Sequence, residues 1–409
     1  MKVLYISNSL THYYNLVLSK LNSMPDLEMI AVTPKGNSAH IGEGVHQTRE
    51  GITFKVIELE EYSKFVIYSS FRGLARVLAD EKPDIVIVLE AHLLTFIFNI
   101  PVVFAMKRLG IKLILKSIPF RLPKFEDAKK QINDRIVTFQ KLPAWLGGIL
   151  HKAGVERLLR LAHVYFTKFV YNIPDAHVDY IEEAYDIFGS YGVDKNKIFI
   201  THNSPDTDRL FQIRESLASA EPILPKNTHR LIHVGRLVEW KRVDLLIRAV
   251  ARLKKVYNDV ELLVVGYGPM EAELKKLADT LQVASDVKFL GGVYDPGILG
   301  QYLISSSIYV LAGMGGLSIN DAMCFGLPII CSVGDGTEKK LVRDEFNGKY
   351  FKDGNEDDLV DKIAYLFDRP RLLREMGHNS TSIIRNEINI HTVINGYTEA
   401  FNFVAKGRR

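Results

Sequence analysis

Short apolar runs recur along the chain, separated by stretches in which apolar positions return every three or four residues. Residues 2–7, 29–32, 53–59, 84–89 and 111–115 predict strands. After its first residue, 84–89 is wholly apolar, the pattern of a strand covered on both faces in a parallel sheet. Residues 13–21 and 71–78 carry helical spacing, the second ending at Lys82-Pro83. Strand and helix in alternation predict an α/β fold with a doubly wound sheet. Residues 124–162 break this rhythm with a long, basic, mostly helical insertion. A strand at 164–166, a helix at about 177–188 and a strand at 198–201 then resume it.

Residues 206–230 contain Pro222 and Pro225 and little apolar periodicity, and read as a linker. A second strand–helix series follows, with strands at 231–234, 261–265, 287–289, 308–311 and 328–331 and a closing helix at 391–404. The expected organisation is an N-terminal α/β domain over 1–205, with its basic insertion at 121–170, and the linker 206–230. A second domain over 231–387 and a C-terminal helix over 388–409, with room to cross back to the first domain, complete it. Two similar halves predict a central cleft between them.

Composition narrows the classes. With 409 residues, 47% hydrophobic and 24% charged, there is chain for two cores. A net charge of +4 is too small to argue for nucleic acid. The charge is unevenly placed: 121–170 holds ten Lys or Arg against four Asp or Glu. That excess suits an anionic membrane surface or phosphate, or is simply a solvated face. Trp145, Leu146, Ile149, Leu158 and Leu159 give the same segment an apolar side, which either meets a membrane or packs on its own domain. The longest apolar run, 93–106, is interrupted by Asn99 and Pro101 and is too short to span a bilayer. Residues 1–7 lack the pattern of a signal peptide, and the two cysteines, Cys324 and Cys331, make no disulfide framework. The expected location is cytoplasmic, or peripheral on the inner face of the membrane.

Four glycine turns stand at successive strand ends of the second half: Gly235, Gly266 with Gly268, Gly291-Gly292, and Gly313 with Gly315-Gly316. The last joins a buried strand to a helix expected over 317–325. Glycines there let backbone N–H groups approach a ligand, and the helix start adds a positive dipole end. Arg236 and Lys241 come from one strand-to-helix turn, at the sheet edge where open α/β sheets bind ligands. A guanidinium and an ammonium fixed there suit a diphosphate. Asp321, about one turn into its helix, is placed to accept hydrogen bonds from sugar or ribose hydroxyls. In the first half Asn8, Ser9, His12, Glu90 and His92 lie just beyond strand ends and are acceptor-side candidates. Asp206-Thr207-Asp208 has the form of a metal-binding motif but sits at the expected linker, where capping chemistry is the better reading. The twelve histidines show no metal-ligand spacing, so no metal and no other cofactor are expected.

The second half resembles the retaining, nucleotide-sugar-dependent glycosyltransferases of family four, which have the two-domain GT-B fold. The matching pieces are Gly235-Arg236-Leu237 with Lys241, Val265-Gly266-Tyr267-Gly268-Pro269, Val287 to Gly291, and Gly316-Leu317-Ser318-Ile319-Asn320-Asp321. Gly326-Leu327-Pro328, Gly334 to Glu338 and Asn347-Gly348 follow in order. The resemblance implies that Arg236 and Lys241 bind the donor diphosphate and that Gly315, Gly316, Leu317 and Ser318 line it. Asp321 would hold the ribose, and Val293 would lie near the base. The family's first glutamate falls on Gly313, and its first-domain histidine is missing near Lys116-Ser117. The implied activity is metal-independent, retaining transfer of a sugar to a glycan or lipid-linked acceptor, in surface polysaccharide synthesis. A nucleotide-sugar epimerase of the same fold, or an inactive binding relative, is the alternative.

Overall fold

The computed structural model describes residues 1–36, 49, 51–64, 68–118, 122–134, 155–332 and 338–407. These divide into two α/β units: 1–202 with 394–407, and 203–393. In the first unit the parallel strands are β1 (Lys2–Ile6), β2 (Glu28–Pro34), β3 (Lys55–Leu59), β4 (Ile85–Leu89), β5 (Lys112–Ser117), β6 (Ala176–Asp179) and β7 (Ile198–Ile200). They lie in the order β3-β2-β1-β4-β5-β6-β7. Residues Glu61–Lys64 and Tyr68–Phe71 add a separate antiparallel hairpin.

The second unit has β8 (Arg230–Val234), β9 (Glu261–Val265), β10 (Val287–Gly291), β11 (Ile308–Leu311), β12 (Ile329–Cys331) and β13 (Gly348–Tyr350), in the order β10-β9-β8-β11-β12-β13. Counted from its own first strand, each sheet runs 3-2-1-4-5-6, the doubly wound arrangement whose order reverses beside the first strand. Alternation explains the two layers of the second core. Leu231, Leu262, Val264, Ile308 and Val310 enter one apolar cluster, while Ile232, Leu263, Val265, Tyr309 and Leu311 enter the other.

Three expectations are corrected. Residues 164–166 are not a strand: they belong to the helix Val155–Tyr171. Val164 and Tyr171, seven apart, bury one face of that helix, and this packing overrides the β preference of Val-Tyr-Phe. The strand follows at Ala176–Asp179, inside the stretch expected to be helical, and pairs Ile114 with Ala176. The helix there is shorter, Glu183–Ser190. Nor is 206–230 wholly a linker. Asp206 caps the helix Thr207–Leu217, whose Leu210 and Phe211 join the second unit's core.

The closing helix, Ile390–Lys406, does return to the first unit from residue 394 onward. Gly396 makes the approach possible, since a Cβ there would stand 2.6 Å from the Ile200 carbonyl oxygen. Phe403 meets Phe199 of β7 at 5.4 Å between ring centroids. Of the basic insertion, the described parts are the helices Phe125–Asp134 and Val155–Tyr171. Trp145, Leu146 and Ile149 lie outside the described residues. Cys324 and Cys331 are free and buried.

Candidate donor site

The turn after β8 is stapled to the turn after β9. The Gly235 amide donates to Val265 O, the Leu237 amide to Tyr267 O and the Met270 amide to Leu237 O, at 2.9–3.0 Å. Side chains are excluded from this seam. A Cβ on Gly266, at φ +138°, would stand 1.9 Å from the Gly235 carbonyl oxygen, and one on Gly268 would stand 2.3 Å from that of Leu237. The seam fixes where Arg236 and Lys241 leave the backbone.

Lys241, buried at the end of the 3₁₀ turn Glu239–Lys241, reaches across to the loop after β11. Its Nζ donates to the carbonyls of Met314 and Gly315, each at 2.6 Å. The Met314 amide in turn donates to Trp240 O. Arg236 is half-buried, with its guanidinium over the Trp240 ring, 5.6 Å from the centroid. Gly313 has a steric origin: a Cβ there would meet Trp240 O at 2.0 Å and the Lys241 carbonyl carbon at 2.9 Å.

The loop then presents its amides. The N–H groups of Gly315, Gly316 and Leu317 find no acceptor among the described residues. The helix that follows, Ser318–Cys324, is only seven residues long, so fixed cations supply most of the positive charge. Ser318 Oγ is held by Tyr309 Oη at 2.7 Å. Asp321 is half-buried, its carboxylate accepts no hydrogen bond among the described residues, and burial pushes its carboxyl up to about 7. Val293 lies half-buried beyond β10, against the second unit's core.

One polar neighbour was not singled out from the sequence. His233 is buried beneath the turn, with Nδ1 against Val310 O at 3.2 Å and Nε2 unpartnered. Burial, followed by the Lys241 charge, pushes it down to about 4, so it stays neutral beside the ammonium. Its only sequence signal is a polar residue inside an apolar strand, two positions before Gly235.

The acceptor-side candidates sit at strand ends of the first unit. Asn8 Oδ1 contacts His92 Nε2, and Glu90 accepts from Tyr171 Oη at 2.6 Å. His12 opens the helix His12–Asn22, and its side chain lies outside the described residues. Near the place of the missing histidine, Lys116 is buried. Its Nζ lies 4.7 and 4.8 Å from the ring centroids of Tyr180 and Tyr397 and contacts Tyr397 Oη. Ser117 Oγ donates to Asp179 at 2.5 Å. Burial lowers Lys116 to about 7 and raises Asp179 to about 8. The Asp206-Thr207-Asp208 motif is taken up structurally: Asp206 caps its helix and Asp208 pairs with His391 at 2.9 Å. Among the described residues no cluster of His, Cys, Asp or Glu could hold a metal.

Residues 216–382 match the family described as glycosyl transferases group 1. The match covers less than half of the chain. All the donor-side candidates lie within it. An uncharacterized glycosyltransferase of Haemophilus influenzae is 33% identical over 177 residues, covering 40% of this chain and 48% of the relative. The chain spans about half the length of the curated relatives it matches. Solved structures extend the likeness to both units. A glycosyltransferase from Rickettsia africae aligns over 99% of this chain and 98% of its own, at TM-score 0.68 and 16% identity. Anabaena HepE in complex with UDP aligns over 98% of this chain and 100% of its own, at 0.65 and 15%. At such identities the likeness shows the fold, which is GT-B: the first and second units are its two α/β halves.

Proposed function

We propose that this chain transfers a sugar from a nucleotide-sugar donor to a glycan or lipid-linked glycan, with retention and without a metal, in bacterial surface polysaccharide synthesis. The observation that carries the reading is one locus in the second unit. There Lys241 meets a glycine loop, Arg236 rests on Trp240 at the same turn, and three loop amides and the half-buried Asp321 carboxylate have no hydrogen-bond partner among the described residues.

In the proposed step the bond from the anomeric carbon to the diphosphate oxygen breaks. The acceptor hydroxyl bonds to that carbon on the same face, and its proton passes to the departing phosphate oxygen. The protein's part is to hold both reactants and neutralise the charge growing on the diphosphate. Asn8, His12, Glu90 and His92 are the proposed acceptor contacts.

Melting temperature measured against UDP, GDP and ADP, with and without a chelator, tests the reading. UDP comes first, because it is the ligand of the Anabaena protein. One nucleotide is expected to stabilise the wild type with or without chelator, and not to stabilise Arg236→Ala. No shift with any of the three would sink the donor-site reading.

Asp321 adds a pH signature. Ribose hydroxyls donate more strongly to the ionised carboxylate than to the protonated acid, and in the free protein burial pushes this carboxyl up to about 7. Nucleotide affinity is therefore expected to rise from pH 6 to pH 8, by up to about tenfold per unit below 7, with proton release on binding. Asp321→Asn should remove this slope in calorimetry, leaving only the titration of the phosphate itself. Equal slopes in both proteins would rule out the ribose role.

A further inference from the structure

Two exposed apolar side chains stand at the donor locus, and binding a diphosphate uses neither. Trp240 is 48% exposed and Met314 36%. Their backbones are joined: the Met314 amide donates to Trp240 O at 3.0 Å, and a Cβ on Gly313 would stand 2.0 Å from that same oxygen. Trp240 is the middle residue of the 3₁₀ turn Glu239–Lys241, so the turn that buries Lys241 also fixes where the indole leaves the backbone. The Arg236 guanidinium lies over the indole ring, 5.6 Å from its centroid. An aromatic ring and a thioether therefore border the place where the two cations meet the glycine loop.

The order of groups along the loop points to what they meet, given the donor reading proposed above, on which this inference rests. Asp321, the proposed ribose partner, lies on the helix Ser318–Cys324 beyond the loop. The amides of Gly315, Gly316 and Leu317 and the Lys241 ammonium take the diphosphate in that reading. A donor laid from Asp321 toward Lys241 passes the amides from 317 to 315 and ends at Met314. The group that follows the diphosphate is the transferred sugar, and it arrives beside Met314 and Trp240.

A pyranose has hydroxyls around its edge and a face of C–H groups. Set against its edge, an apolar side chain would strip hydroxyls of water and give nothing back. Set against the C–H face, an indole on a rigid turn offers a large apolar area and has few torsions to freeze. We propose that Trp240, with Met314 beside it, is the platform for the transferred sugar of the donor, with the sugar's C–H face against the indole. The contact lets the site tell a nucleotide sugar from the bare nucleotide. Arg236 couples the two ends of the donor, because the guanidinium offered to the diphosphate also lies on the ring offered to the sugar.

The chain has two tryptophans, Trp145 and Trp240, so in a Trp145→Phe background the indole emission reports residue 240 alone. The probes are UDP, GDP and ADP, each set against a sugar conjugate: UDP-glucose and UDP-N-acetylglucosamine, GDP-mannose, and ADP-glucose. For the nucleotide that binds, a conjugate is expected to shift the Trp240 emission to shorter wavelength, beyond any shift made by the nucleotide itself. Trp240→Leu should weaken the conjugate about tenfold more than the nucleotide, the value of about 50 Å² of apolar surface withheld from water. Trp240→Phe should keep most of the preference. A loss that acts through Arg236 weakens conjugate and nucleotide alike and cancels in this ratio. An unchanged ratio in Trp240→Leu, or an emission that no conjugate shifts beyond its nucleotide, overturns the proposal and leaves the donor site standing. If none of the three nucleotides binds the wild type, the donor reading has failed, and this inference with it.

Discussion

Lys241→Ala is expected to lower turnover by about two to three orders of magnitude, the scale set by removing one preorganised donor from developing negative charge. The ammonium is already desolvated and held on the Met314 and Gly315 carbonyls, so it needs little reorganisation to meet a diphosphate. Arg236→Ala should cost a similar factor, because its guanidinium rests on Trp240, at the same turn. A role made in the transition state lowers kcat and kcat/KM together, while one confined to binding raises KM alone. Steady-state rates with the stabilising nucleotide's sugar conjugate separate the two. The obvious confound is the glycine loop, which loses two hydrogen bonds in Lys241→Ala. If kcat falls only in step with melting temperature, Lys241 is a structural brace and its proposed role fails.

Restoring the glutamate that the resemblance places at residue 313 is expected to destroy the site, not improve it. The obstacle is Cβ itself, 2.0 Å from Trp240 O and 2.9 Å from Lys241 backbone atoms, none of which is the end of a flexible side chain. Gly313→Ala should therefore be nearly as damaging as Gly313→Glu. Each should cost about 3 kcal/mol in urea unfolding, the upper part of the usual range for overpacking. Both should lose nucleotide-induced stabilisation, because the displaced loop carries the Lys241 contacts. Gly189→Ala is the control: its Cβ would meet only Lys195 Cε at 3.8 Å, in a helix where alanine is favoured. If Gly313→Glu keeps its stability and gains activity, the packing explanation is wrong, and the chain has lost a catalytic carboxylate that it could still use.

The glycine turns of the second unit were legible because their constraints are local. Gly266, Gly268 and Gly313 stand within a few residues of the strand ends they serve, and each is glycine because a neighbouring backbone lies where a side chain would be. The first unit was far less legible. Two of its perturbed groups, Lys116 and Asp179, are brought together by β5 and β6, and Lys116 meets Tyr397. No short pattern joins residue 116 to residue 397. The misplaced strand at 164–166 has a related cause. Propensity is read over a few residues, whereas the choice there was made by the core contacts of a seventeen-residue helix.

The return of residues 394–407 to the first unit sets an order of events during synthesis. The first unit cannot be completed until residues 394–407 have emerged, whereas 203–393 is already in hand by then. For the time it takes to translate the whole second half, Lys116 lacks Tyr397 and the β7 edge lacks Phe403. The finished helix is the clasp that ends this interval.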